Sequence, residues 1–117
     1  MKTIVFDLDG TICEPNLSMK NTEDRYGKAK PIKKVIDKMN DLRYNGFYIV
    51  IHTARRMLTH NGDVEKIIED VGAVTEKWLA DHQVPYDELI FGKPYADTHY
   101  VDDKAMNIEQ FNEWEIE

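Results

Sequence analysis

The apolar residues of this chain fall into short continuous runs and into longer stretches with helical spacing. Runs at residues 3–7 and 47–52 predict two strands, and the second run is typical of a strand buried in a parallel sheet. Shorter runs at residues 89–91 and 99–101 predict a third and a fourth strand. Polar residues follow each run directly, so the strand ends are where we expect the chemistry of the chain.

Helical spacing marks the two long stretches between the strands. The first is predicted to have Pro31 in its first turn and to end at Asn45-Gly46. The second is predicted to start from Asp63 as N-cap and to end near His82, with Gly72 as a possible break. The apolar positions that set the spacing are Ile32, Val35, Ile36, Met39 and Leu42 in the first stretch and Ile67, Ile68, Val71, Val74, Trp78 and Leu79 in the second.

The remaining segments predict two loops and one short terminal helix. Residues 13–30 and 57–63 are polar and lack periodicity, which indicates loops. Asn107 and Gln110 resemble a capping box that starts a last helix. The resulting order of strands and helices predicts an α/β fold with a mainly parallel sheet. The length of 117 residues predicts a single domain over residues 1–117.

The first predicted strand ends in two carboxylates, those of Asp7 and Asp9. Residues i and i+2 of an extended chain point to the same side, so both should project beyond the strand. Two like charges that close favour a bound cation. Gly10 permits a backbone conformation that other residues resist, and Thr11 offers a hydroxyl and an N–H to an anion. Asp and Gly are also common in simple turns, so this pattern needs support from the rest of the chain.

The other predicted strands end in polar residues that supply this support. They are followed by Thr53, Lys93 and the pair Asp102-Asp103. The carboxyl ends of parallel strands meet at one edge of a sheet, where ligands bind. Asp7 with Asp102 and Asp103 would supply the oxygen ligands that Mg²⁺ prefers. The sequence therefore predicts a magnesium site at this edge.

The same edge suits a phosphoryl group. Lys93 would place a positive charge beside it, and one carboxylate could attack phosphorus to form an aspartyl-phosphate. A second carboxylate, two residues on, could protonate the leaving oxygen and later deprotonate water. The expected phosphate-binding residues are Asp9, Gly10, Thr11, Thr53, Ala54 and Lys93.

Composition and charge narrow the expected partners and location. The net charge of −7 argues against non-specific binding to nucleic acid or to anionic membranes. The single cysteine, Cys13, cannot form an internal disulfide, which fits a reducing cytoplasm. The chain shows no apolar run of membrane-spanning length, and we expect no signal peptide because Met1-Lys2 leads straight into a predicted strand. We therefore expect a cytoplasmic protein that acts on a small substrate, without nucleic acid or membrane.

The sequence Asp7-Leu8-Asp9-Gly10-Thr11-Ile12 resembles motif I of the haloacid dehalogenase (HAD) superfamily of phosphatases. Thr53, Lys93 and Asp102-Asp103 are similar to motifs II, III and IV, in the family's order and over nearly the whole chain. The resemblance implies a three-layer, Rossmann-like fold whose first strand is central, between the second strand and the Asp102 strand. The chain departs from many HAD phosphatases in one respect: the gaps between its motifs have no room for a cap domain, so we expect none.

The resemblance also implies a role for each motif residue. Asp7 would be the nucleophile and a metal ligand, and Asp9 the general acid/base, which also binds Mg²⁺ through its backbone carbonyl. Thr53 and Lys93 would hold the phosphoryl group, and Asp102 would complete the metal site. Asp103 would help through water or by orienting Lys93. The implied catalytic residues are Asp7, Asp9, Thr53 and Lys93, and the implied metal ligands are Asp7, Asp9, Asp102 and Asp103.

Three segments resemble more narrowly a small group of bacterial HAD proteins associated with capsular-polysaccharide biosynthesis. This implies a Mg²⁺-dependent phosphomonoesterase acting on a small phosphorylated metabolite such as a sugar phosphate. The segments are His82-Gln83-Val84-Pro85-Tyr86-Asp87-Glu88, Gly92-Lys93-Pro94 and Tyr100-Val101-Asp102-Asp103-Lys104-Ala105.

Two other functions stay open from the sequence. One is a phosphatase that acts on nucleotides or nucleic-acid ends. The other is a phospho-accepting switch like a response-regulator receiver, for which Asp9 is the discriminator because a switch needs no acid/base there. The basic residues that either reach a substrate or lie on a solvated surface are Arg55, Arg56, Arg25 and Lys20.

A chain without a cap needs another way to shield its site from water. The sequence offers the loops at residues 13–30 and 57–63, which could also set specificity, or a neighbouring subunit in a dimer or tetramer. Phe111, Trp114 and Ile116 would either form such an interface or dock the terminal helix.

Overall fold

A computed structural model describes residues 1–116 and shows an α/β fold. The three-stranded sheet that carries the first three motifs is parallel throughout, and the described residues form no separate cap domain. The strands are β1 (Thr3–Phe6), β2 (Cys13–Glu14), β3 (Lys30–Pro31), β4 (Tyr48–Thr53) and β5 (Glu88–Phe91), and the helices are α1 (Lys33–Tyr44), α2 (Val64–Asp81) and α3 (Ile108–Glu113).

The parallel sheet has the strand order β1-β4-β5, so its middle strand is β4 and β1 lies at an edge. The prediction of a central first strand, flanked by the Asp102 strand, is therefore wrong for this structure. Residues 99–101 form no strand, and residues 97–107 are all exposed. Locally, the Tyr100 hydroxyl donates to Pro94 O (2.6 Å) and accepts from Ala96 N (3.1 Å), which closes a turn instead of pairing the segment with β1.

Helix α1 buries the stripe predicted from the sequence, including Val35, Met39 and Leu42. It begins at Lys33, and Pro31 lies in β3 instead of the first helical turn. Residue 31 is held there because β3 pairs antiparallel with β2, with Cys13 opposite Pro31.

Helix α2 starts from the predicted cap, since Asp63 accepts a hydrogen bond from Lys66 N (3.3 Å). It runs unbroken through Gly72, so the possible break there does not occur. Gly72 is buried, and a Cβ at this position would lie 3.1 Å from Cγ2 of Ile68. The glycine therefore relieves crowding inside the helix and does not end it.

The segment at residues 13–30 is more ordered than the predicted loop. Its ends pair as β2 and β3, and a π-helical turn covers Glu23–Gly27. Tyr26 in this turn is buried and packs with Ile67 and Val71 of α2. Apolar burial fixes the segment against α2, which its polar composition did not indicate.

The terminal helix α3 is docked on the body of its own chain. Asn107 and Gln110 form the predicted capping box. Phe111 meets Phe6 edge-on with ring centroids 5.3 Å apart, and Trp114 and Ile116 also pack against the core. These apolar residues therefore dock the helix on its own chain. None of the helices in residues 1–116 is long and apolar enough to cross a membrane.

Candidate active site

The parallel register brings three of the four motif-bearing strand ends together. Phe6 pairs with Ile51, and Thr53 pairs with Phe91, so the residues that follow β1 and β5 flank the end of β4. The chain then turns at Gly92, whose φ of +97° is a conformation that favours glycine. This turn lets Lys93 N donate to Thr53 O at 3.1 Å.

Asp7 and Lys93 face each other at this edge. The Lys93 Nζ lies 3.6 Å from Asp7 Oδ1, and the two side chains are 20% and 39% exposed. Burial raises the pKa of the Asp7 carboxyl, and the Lys93 ammonium only partly offsets this effect; the nearby Asp9 charge adds to the rise. The site thus holds an accessible carboxylate beside a fixed positive charge.

Asp9, two residues further on, is held by Arg55 instead of by Lys93. Arg55 Nε donates to Asp9 Oδ2 at 3.0 Å, and Nη2 donates to Oδ1 at 2.6 Å. This two-point contact fixes both the position and the plane of the carboxylate. The two acids at the end of β1 therefore have different partners, Lys93 for Asp7 and Arg55 for Asp9.

Arg55 is itself buried, with 4% of its surface exposed. Its Nη1 donates to the Thr75 hydroxyl (2.9 Å), and the Tyr26 ring centroid lies 4.1 Å from the guanidinium carbon. Cys13 Sγ lies 3.7 Å from Nη2. Neither alternative from the sequence, a solvated surface role or contact with substrate, describes Arg55, because its donors are directed inward to Asp9 and Thr75.

One sequence signal could have indicated this arrangement. Thr75 is a polar residue on the buried face of α2, one helical turn after Val71 and one before Leu79. A polar side chain inside an apolar stripe needs a buried partner. That partner is Arg55, which is distant in sequence, so the signal points to a buried polar contact without identifying it.

The turn after Asp9 uses its own backbone donors. Gly10, with φ +85°, donates its N–H to Cys13 O (2.8 Å), and the Thr11 N–H donates to Leu8 O (3.2 Å). These two N–H groups are engaged in the turn, contrary to the expectation that Thr11 offers its N–H to an anion. The Thr53 hydroxyl is buried and accepts from Arg55 N (3.1 Å), so it also orders the start of the Arg55 loop.

Asp102 and Asp103 are the motif residues that the structure does not bring to the site. Both are exposed, and Asp102 Oδ1 accepts from Lys104 N (2.8 Å) within the same segment. That backbone hydrogen bond, with a side-chain contact to Asp103, lowers the pKa of Asp102. Within residues 1–116, no three carboxylate, His or Cys side chains converge to hold a metal ion. The described residues of one chain therefore do not by themselves fit the expected four-aspartate Mg²⁺ site.

The two segments expected to cover the site are tied to each other and to α2. Thr22 donates to Asp70 Oδ1 (2.7 Å), and His60 Nε2 lies 2.9 Å from Asp70 Oδ2. Arg56 donates to Lys20 O (2.9 Å) and forms an ion pair with Asp70. Arg25 donates to carbonyls of its own segment at Leu17 and Met19. The arginines that could have reached a substrate thus make internal contacts: Arg56 links the two segments, and Arg25 orders its own.

A family model for the polynucleotide kinase PNKP phosphatase domain, of the HAD type, matches residues 1–113 of the chain. A solved structure of an MCSG target from Vibrio cholerae is 38% identical, with a TM-score of 0.88, and the match covers 99% of this chain and 91% of that one. Among curated proteins, no match was found.

More distant solved structures share the fold. One is D,D-heptose 1,7-bisphosphate phosphatase from B. bronchiseptica in complex with magnesium and phosphate: 16% identity, TM-score 0.51, covering 90% of this chain and 54% of that one. Another is a chain of a Pnkp1/Rnl/Hen1 complex: 20% identity, TM-score 0.56, covering 94% of this chain and 33% of that one. At these identities the likeness concerns the fold alone.

Proposed function

Because this chain belongs to the family of PNKP phosphatase domains within the HAD superfamily, we propose that it is a Mg²⁺-dependent phosphomonoesterase that acts through an aspartyl-phosphate on Asp7. Membership of this family identifies the chain as a phosphatase, whereas its mechanism, metal and substrate are our proposal. The observation that carries the proposal is the contact of Asp7 with Lys93, next to an Asp9 that Arg55 holds separately.

In the first step, an Asp7 carboxylate oxygen attacks phosphorus while the bond from phosphorus to the ester oxygen breaks. Asp9 donates a proton to that leaving oxygen, and an alcohol departs. In the second step, Asp9 takes a proton from a water molecule as the water oxygen attacks phosphorus. The bond from phosphorus to Asp7 breaks, which releases phosphate and restores both carboxyl groups.

Lys93 and Arg55 have different tasks in this scheme. The Lys93 ammonium lies 3.6 Å from Asp7 Oδ1, which supports electrostatic stabilisation of the phosphoryl oxygens by Lys93. Arg55 is a positioning residue, because it contacts Asp9 and is itself buried. Thr53 orders the Arg55 loop through its hydroxyl, and its place at the end of β4 supports a contact with the phosphoryl group.

Mg²⁺ is proposed from the chemistry of the acids in the motifs, and no step above is routed through it. When bound, the ion would neutralise charge on the phosphoryl group. Asp7, Asp102 and Asp103 would be its side-chain ligands, and Asp9 would contribute its backbone carbonyl. The exposed segment that carries Asp102 and Asp103 would have to reach an Asp7 site to complete this ligand set.

The proposed substrate is a small phosphorylated metabolite such as a sugar phosphate, in the cytoplasm. The net charge of −7 disfavours a polyanion, and Arg25 and Arg56 are engaged in internal contacts instead of being available along a phosphate backbone. The matched family is named after the phosphatase domain of the polynucleotide kinase PNKP. This name favours a nucleic-acid end as the second candidate substrate.

A phosphate-release assay over sugar phosphates, nucleotides and oligonucleotides with terminal phosphates tests both substrate classes. Each is measured with Mg²⁺ and after EDTA treatment. We expect release from sugar phosphates that EDTA abolishes, and no release by an Asp7→Asn variant that keeps its fold. Preferential release from oligonucleotide ends would replace the first substrate with the second, and undiminished activity of Asp7→Asn would refute the mechanism.

Asp9 is tested with esters of good and poor leaving groups. Asp9→Asn should still accept a phosphoryl group from an activated ester, because a good leaving group needs no proton. It should lose much more activity with a poor leaving group, by roughly 10²-fold or more. Equal losses for both esters would assign Asp9 to another role.

A further inference from the structure

We propose that residues 97–107, here called the arm, form the missing fourth strand on β1 of a second copy of the chain and thereby bring Asp102 and Asp103 to that copy's Asp7. The role of the two acids rests on the proposed function, whereas the exchange of the arm rests on geometry. All eleven residues of the arm are exposed. Three large apolar side chains lie among these eleven residues: Tyr100 is 50% exposed, Val101 98% and Met106 42%. Exposed apolar side chains grouped in one short segment indicate a contact surface.

The surface that would receive the arm is the outer edge of β1. In the described part of the chain, β1 pairs with β4 on one side and with no strand on the other. Val5, in the middle of this strand, is 59% exposed, while Val50, its partner on β4, is 7% exposed. An open strand edge with an exposed apolar side chain is a template for the addition of another strand.

The arm and β1 match in length and pattern. β1 spans Thr3–Phe6 and is followed by Asp7. In the arm, Thr98 begins a stretch of four residues that is followed by Asp102. A parallel pairing of these stretches sets Tyr100 beside Val5 and Asp102 beside Asp7. Residues 99–101, which have the sequence pattern of a strand but pair with no strand in the described chain, would then form one.

The arm is anchored to its own body at both ends but does not lie on its own β1. At the first end, the Tyr100 ring lies 4.2 Å from Lys93 Nζ, and its hydroxyl bonds to Pro94 and Ala96. At the second end, α3 is docked through Phe111 on Phe6. Every copy carries one arm and one open β1 edge, so two copies can exchange arms reciprocally, which closes as a twofold dimer.

The exchange would complete a site that one chain leaves incomplete. No three metal-binding side chains converge among residues 1–116, and Asp102 and Asp103 are exposed on the arm. Docking would place four carboxylates at one strand end, which is unfavourable unless a cation lies between them. Dimer formation should therefore be strengthened by Mg²⁺, and this effect is independent of catalysis.

A disulfide test decides whether the arm docks and on which chain. The double variant Val5→Cys/Tyr100→Cys is oxidised in the presence of Mg²⁺ and run on a denaturing gel without reductant. We expect a covalent dimer, because the proposed pairing sets residue 5 of one copy beside residue 100 of the other. Each single variant should run as a monomer on this gel, and the buried Cys13 should not interfere. A disulfide within one chain, or no disulfide together with a monomer by light scattering, would overturn the proposal.

Mixing two inactive variants tests the shared site. Asp7→Asn and Asp102→Asn are each expected to be inactive, while a co-expressed 1:1 mixture should regain about a quarter of the wild-type activity. Half of the dimers are then mixed, and one of their two sites has an intact Asp7 with an intact arm. An inactive mixture, beside an active wild type, would mean that the arm acts within its own chain. If the wild type proves inactive, the proposed function fails, and the disulfide result still decides the exchange.

Discussion

The carboxylate of Asp9 is held by the buried guanidinium of Arg55, with Asp9 Oδ1 2.6 Å from Nη2 and Oδ2 3.0 Å from Nε. The two residues are 46 positions apart in the sequence, and their contact joins the end of β1 to the loop after β4. It separates the two acids of the first motif, because Asp7 is left to contact Lys93. The proposed division into nucleophile and acid/base therefore depends on a residue that lies outside the substrate site.

Replacement of this guanidinium tests the dependence directly. Arg55→Lys keeps a positive charge but cannot make the two-point contact, so Asp9 should lose its fixed orientation. We expect kcat to fall by roughly 10²-fold for esters with poor leaving groups and much less for activated esters. Arg43→Lys, in an exposed ion pair with Asp87, is the matched control and should keep full activity. An equal loss for both kinds of ester would mean that Arg55 supports the fold only.

Removal of the buried Thr75 hydroxyl should lower the free energy of unfolding. Thr75→Val keeps the shape of the side chain but leaves Arg55 Nη1 without its acceptor in a buried place. An unpaired buried donor costs about 1–3 kcal/mol, which urea unfolding should detect as a lower midpoint. Thr75→Ser retains the hydroxyl and should recover most of the loss. A wild-type midpoint for Thr75→Val would show that the hydrogen bond contributes nothing to stability.

The raised pKa of Asp7 predicts a pH-dependent gain in stability on substitution. Burial is its main cause, so the folded protein binds this proton more tightly than the unfolded chain does. The ionised carboxylate therefore costs stability at neutral pH, and the cost vanishes as pH falls below the pKa of an unfolded Asp, about 3.9. Asp7→Asn should melt at a higher temperature than the wild type at pH 7.

The control for this prediction is the same pair of proteins compared at lower pH. The difference in melting temperature should shrink steadily as the pH approaches 4. Asp37→Asn, on the exposed side of α1, should show no comparable gain at pH 7. A gain for Asp7→Asn that is the same at every pH would assign the effect to something other than ionisation.

The thiol of Cys13 should be inert in the folded protein. It is fully buried, and burial raises its pKa strongly, with a further rise from the Asp9 charge that Arg55 partly offsets. A thiol reagent such as DTNB should label the native protein far more slowly than the protein unfolded in guanidinium. Fast stoichiometric labelling of the native protein would show that the turn after β1 opens readily.

The sequence by itself determined the two long helices, the three strands of the parallel sheet and which polar residues follow those strands. Helical spacing predicted α1 and α2, because an amphipathic stripe must bury its apolar side. Strand runs followed by polar residues predicted that the groups after β1, β4 and β5 meet at one sheet edge, since parallel strands share an orientation. The local cap at Asp63 and the capping box at Asn107 were also predictable, because such contacts span only three residues.

Tertiary structure alone decided the contacts between residues distant in the chain. The position of Arg55 after a strand did not distinguish a buried arginine from an exposed one. Its packing against Tyr26 and Thr75 makes it a buried partner of Asp9. Residues 99–101 had the pattern of a strand, but a strand also needs a neighbour with which to exchange hydrogen bonds. The open edge of β1 can be that neighbour only where packing brings the two segments together. Local sequence does not encode that packing, so it could not show that residues 99–101 are unpaired in the described chain.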